Sequence, residues 1–126
     1  MRSPVAEFIP GPVHIPVPGG KSIEEYFGNA TTGEDAISIA LMNAPAGWEE
    51  PGQTPEFDEY TVVLEGSILV ETEDGPLLVN SGQGIHTRAG EWVRYTAPDG
   101  ARYLAVCKPA FHSELVHRED EDHDPN

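Results

Sequence analysis

The sequence predicts an all-β domain, a barrel or sandwich of many short strands. Three observations lead there. Apolar and polar residues alternate in short runs, the runs recur about every 8 to 12 residues, and each gap carries a turn signal. The chain has 126 residues, which suits one domain with one core, and its Gly 13 and Pro 12 favour turns over long helices.

Residues 1 to 20 carry Pro4, Pro10, Pro12, Pro16 and Pro18, with Phe8, Ile9, Val13, Ile15 and Val17 as apolar anchors. Proline blocks a helix, so this stretch predicts an extended arm lying against the body or against a second subunit. Ser22 to Gly28 predicts one helical turn, with Ser22 as cap, Glu25 three residues on and Gly28 as the stop. Ala36 to Met42 predicts a strand with Ile37, Ile39 and Leu41 on one face and small residues and Met42 on the other. Asn43 to Pro55 is a loop rich in proline and glycine.

Glu59 to Leu64 is strand-like, and Glu65-Gly66-Ser67 predicts a tight turn into a returning strand, Ile68 to Glu71. Short strands follow at Leu77–Val79, Ile85–Thr87, Trp92–Thr96 and Ala101–Lys108, separated by glycine-bearing turns. On the third of these runs, period two puts Val93 and Tyr95 on one face and Trp92 and Arg94 on the other. The end of the chain, with Glu119-Asp120-Glu121-Asp122, predicts a disordered acidic tail. The expected organisation is an arm and helical turn over 1–34, a barrel over 35–112 and the tail over 113–126.

Seven Lys and Arg against 22 Asp and Glu give a net charge of −15. This argues against nucleic acid and against anionic membranes as partners, since both need a basic face. The single cysteine, Cys107, permits no internal disulfide, and no apolar run approaches a membrane span. With no signal peptide after Met1, a cytoplasmic protein is expected.

The glycine spacing resembles the cupin superfamily. Gly47, Glu59 and Gly66 fall in register with its first motif, and Gly82 and Gly90 with its second. The resemblance spans roughly residues 36 to 110 and implies a cupin-like jelly-roll β-barrel, single-domain, paired as a homodimer. The positions where cupins place three histidines hold Gln53, Pro55 and Val93, and Arg88 and Ala97 replace the motif proline and asparagine. Of the four usual metal ligands only Glu59 stands, too few to fix a divalent metal in the usual way. Pro55-Glu56-Phe57-Asp58-Glu59 and Ala105 to Phe111 are similar to EutQ-type cupins of ethanolamine utilisation, which also lack these histidines. That branch is linked to acetate-kinase-like activity, for which this chain has no glycine-rich phosphate loop.

Glu59 is expected inside the barrel. It is either a general acid or base with a raised pKa, or a structural carboxylate tied to Arg88, Arg94 or Arg102. His86 is a candidate partner for it, or a packed strand histidine. Gln53, Glu59 and His86 together would form an atypical metal triad. Gln53, His86, Val93, Tyr95 and Tyr103 are the candidate ligand-binding residues, with core packing as the alternative for the aromatics. Cys107 reads as a small buried hydrophobe. Two functions follow: a small-molecule binding or sensing module with a degenerate metal site, or a small enzyme of isomerase, lyase or decarboxylase type, or EutQ-like, using Glu59 as acid/base or in an atypical metal site.

Overall fold

The computed structural model describes residues 5–17 and 19–119. Among these residues there are nine strands and one short helix: β1 (Val13–Ile15), β2 (Ser22–Phe27), β3 (Ser38–Ala44), β4 (Trp48–Glu49), β5 (Asp58–Thr72), β6 (Gly75–Asn80), β7 (Gly84–Thr87), β8 (Val93–Ala97), β9 (Ala101–Lys108) and α1 (Ser113–Val116). All strand pairs are antiparallel, and the path through the sheet runs β1-β2-β3-β9-β5-β8-β4, with β6 and β7 also on β5. The sheet curls on itself as a jelly-roll barrel, the fold class the motif spacing implies.

The long strand β5 makes this possible. Its first half pairs with β9 and β7, and its second half with β6 and β8. The predicted turn at Glu65-Gly66-Ser67 is therefore a bend within one strand. Gly66 sits at φ 76°, and a Cβ there would clash with the Gly100 carbonyl oxygen. Glycine lets the strand fold over against the neighbouring turn without reversing direction.

The expected helical turn at Ser22–Gly28 is also corrected. It is strand β2, hydrogen-bonded to β1 and β3. Ile23 and Glu25 alternate inward there, so period two wins over the local cap signal. Glu25 instead accepts hydrogen bonds from Ala30 N, Thr31 N and Thr31 Oγ1 at 2.8 to 3.0 Å, and so holds the following turn together.

Strand β3 turns its small residues inward. Ser38, Ala40 and Ala44 are buried, while Ile39 and Leu41 are only half-buried on the outer face. Small residues there, facing Cys107 and Ala105 in register, leave room inside the barrel. The larger core holds Trp48, Val63, Ile68, Val70, Val79, Val93, Tyr95 and Tyr103. A second cluster, Phe57, Cys107 and Val116, packs with Phe111 and Leu115 at one end.

That end is closed by residues expected to be disordered. Glu56 N donates to Leu115 O at 2.8 Å, and Glu119 N to Gly52 O at 2.9 Å. Val116 is buried, because α1 carries it onto Phe57 and Cys107. The acidic run beyond Glu119 lies outside the described residues, as does Pro18 of the arm.

Candidate functional site

The β5 register decides which side chains enter the barrel. Glu59 pairs with Cys107 on one side and Thr87 on the other, and all three face inward. They share the barrel interior with Lys21, Gln53, Tyr95 and Tyr103, around a cavity of about 50 Å³. That is space for roughly three to five waters, at about 10 to 15 Å³ each. A second space of about 180 Å³ lies outward of it, past Val17, Trp48 and Pro51. Lys21, Ile23, Glu50 and Arg118 line both.

Glu59 keeps some accessible surface because it faces this cavity. Thr61 Oγ1 donates to its Oε2 at a long 3.5 Å. Removal from water pushes its carboxyl up to about 7, with the charge of Glu50 adding to the rise and Lys21 opposing it. At neutral pH the group is divided between acid and base. Tyr95 and Tyr103 are buried, and burial raises both phenols well above their ordinary range. The Tyr95 hydroxyl shares a 2.7 Å hydrogen bond with Thr87 Oγ1.

Lys21 is enclosed, its side chain only 8% exposed. It donates to Tyr103 Oη at 3.1 Å, lies 4.3 Å over the Trp48 ring and stands 3.8 Å from Glu50 Oε1. Burial lowers its pKa, against the charges of Glu50 and Glu59. Gln53 is 3% exposed, and its Oε1 has no hydrogen-bond partner among the described residues. Its backbone is fixed by two 2.9 Å hydrogen bonds with Val93.

The candidates separate accordingly. Gln53, Glu59, Tyr95 and Tyr103 come together at the cavity. Val93 is buried in the core wall, beside the cavity lining but outside it. His86 is not part of the site. It pairs with Tyr60 on the opposite face of β5 from Glu59, stacks on that ring at 4.1 Å and bonds Asp58 Oδ2 at 2.7 Å. A one-residue step along a strand reverses the face, so Glu59 and His86 cannot meet. The triad Gln53, Glu59 and His86 is thereby broken. None of Arg88, Arg94 and Arg102 lines the cavity, and Arg94 pairs instead with Glu49 and Glu71 at 3.5 Å each. Among the described residues, the cations whose charge reaches Glu59 are Lys21 and Arg118.

Lys21, Glu50 and Arg118 are the residues that sequence reasoning missed. The signal available for Lys21 was its place after Gly19-Gly20, in a chain with seven basic residues. Arg118 had none, because its position depends on the terminal segment bridging to Gln53.

The donor set also bears on metal binding. At the four positions where cupins hold a divalent ion, the chain offers one carboxylate, one amide oxygen, one proline and one buried valine. Among the described residues, no three His, Cys, Asp or Glu side chains cluster as a metal-holding group. The residues present do not fit that ion.

Comparison with known proteins supports this architecture. No family model matches the sequence. Over 107 residues, 83% of the chain, it is 44% identical to a protein of Myxococcus xanthus strain DK1622 described as endoribonuclease YbeY. The chain spans only 36% of that relative's length. Its fold is similar to a putative ethanolamine utilization protein Q (EutQ) of Salmonella typhimurium LT2, with TM-score 0.61 and 20% identity over 72% of this chain and 71% of that one. It is similar as well to an RmlC-like cupin of Shewanella frigidimarina, with TM-score 0.72 and 14% identity over 90% and 97% of the two chains. With its glycines in register and its sheet curled as described, the chain is a cupin-fold protein with a EutQ-like barrel.

Proposed function

We propose that this barrel is a small-molecule binding module that works without the usual metal, holding a compact polar ligand against Glu59 and Gln53. The observation that carries this reading is Gln53, a cavity-lining residue whose buried Oε1 has no hydrogen-bond partner among the described residues. Leaving such a group unsatisfied costs about 1–3 kcal/mol. A ligand donor would recover that cost, and the Glu59 carboxyl beside it offers either a donor or an acceptor. The small cavity favours a ligand with few heavy atoms. The test is a thermal-shift screen of small amides, alcohols, amines and carboxylates on the full chain and on Gln53→Leu. At least one class should stabilise the wild type and lose its effect in the variant. A screen in which no class acts, or in which the variant responds equally, would overturn the reading.

The pKa of Glu59 near 7 favours a second reading, an enzyme of isomerase, lyase or decarboxylase type with Glu59 moving the proton. Its mark would be ligand C–H exchange in D₂O that Glu59→Gln abolishes.

Homodimerisation in the cytoplasm completes the proposal. The outer face of the sheet carries Tyr60, Val62 and Leu64, each 41% to 44% exposed, beside half-buried Ile39, Leu41, Leu104 and Val106. An apolar face of this kind invites a second subunit. No helix among the described residues is long and apolar enough to cross a membrane. Nuclease activity is not carried over from the longer relative, of whose length this chain spans 36%.

A further inference from the structure

The acid/base role of Glu59 leaves Lys21 unused. Lys21 is one of two lysines in the chain, and the other, Lys108, is exposed at the end of β9. Gly19 and Gly20, at φ 87° and 81°, turn the chain just before β2 and bring Lys21 to the boundary between the inner cavity and the outer space. There its nitrogen touches the Tyr103 hydroxyl at 3.1 Å, while Glu50 Oε1, at 3.8 Å, is beyond hydrogen-bonding distance.

We infer that Lys21 is an imine-forming lysine and that the inner cavity takes a small aldehyde or ketone at its Nζ atom. This rests on the reading that the cavity holds a small organic molecule, and it adds the substrate class. Burial enlarges the share of neutral, nucleophilic amine. The amine lone pair attacks the carbonyl carbon, a C–N bond forms, and the C=O π pair moves to oxygen and takes up a proton. The nitrogen gives up its protons in turn, and the hydroxyl leaves as water. The product is a C=N bond to Lys21, so carbonyl plus amine becomes imine plus water with no change of oxidation state. The Tyr103 hydroxyl is placed to hold the nitrogen. Glu59, on the same cavity, can supply the proton that the departing hydroxyl needs.

The test uses acetaldehyde, which is small enough for the cavity, with sodium cyanoborohydride as the trap, on the full chain. Peptide mapping by mass spectrometry should find an ethyl group at Lys21, formed faster than at the exposed Lys108. Lys21→Arg, checked as folded by circular dichroism, should lose the fast label and keep the slow one at Lys108. Equal rates at the two lysines, or no label at Lys21, would overturn the inference. Acetamide, which cannot form an imine, separates the two readings. If it binds at Gln53 by NMR while Lys21 stays unlabelled, only the imine fails. If neither binds, both fail.

Discussion

Replacing Glu59 with glutamine should stabilise the protein above neutral pH, and the effect should vanish in acid. The folded carboxyl has its pKa raised from 4.5 to about 7. The folded state therefore binds the proton more tightly than the unfolded chain does. Wild-type stability from this group is fully present below about 4.5 and is lost as pH rises through 7. The difference between those two values, at about 1.4 kcal/mol per pH unit, gives a ceiling of about 3 to 4 kcal/mol. Glutamine is isosteric and neutral, so it is free of that cost. The realised gain should be smaller, because Lys21 loses a compensating charge. The assay is urea unfolding of both proteins at steps from about pH 4.5 to 9. The stability gap should open across this window and level off above about pH 8. A gap that stays flat with pH, or a variant less stable than wild type in base, would refute the placement of Glu59 inside the barrel.

Other outcomes follow from the same geometry. Lys21→Met should raise the Glu59 pKa further, since Lys21 is among the charges lowering it, and ¹³C NMR of the Glu carboxyls reads this directly. Gly66→Ala should cost about 3 kcal/mol or more in chemical denaturation, because it combines a positive φ with a clash against Gly100. His86→Ala should leave binding in the cavity unchanged and cost no more than about 1 kcal/mol, since its pair with Asp58 is on the outer face. Val62→Glu, on the exposed apolar face, should turn a dimer into a monomer in sedimentation while ligand binding persists.

The sequence made the barrel legible because its signals are local and repeated. Alternation in Ala101–Lys108 and the glycine corners are each contained in a few residues, and β9 matches its expected span. Reading failed where a local signal had a distant competitor. Glu65-Gly66-Ser67 looks like a turn, yet Gly66 is shaped by Gly100 across the sheet. Ser22-x-x-Glu25 looks like a capping box, yet Glu25 is consumed by the turn at Ala30 and Thr31. The same holds for the site. Glu59, Gln53, Tyr95 and Tyr103 could be named from motif register and period two. His86 could not, because the face it occupies is set by the β5–β7 pairing. Lys21 and Arg118 reach the cavity from opposite ends of the chain through the arm turn and the terminal bridge, and no periodicity within either segment announces it.

The most direct test is to map ligand contacts by ¹H–¹⁵N NMR in chelator-treated protein, using the small amides and carbonyl compounds named above. The account predicts shifts that cluster on Lys21, Gln53, Glu59, Tyr95 and Tyr103 and stay the same after chelation. Shifts confined to the outer face around His86, or binding that returns only with added divalent metal, would contradict it.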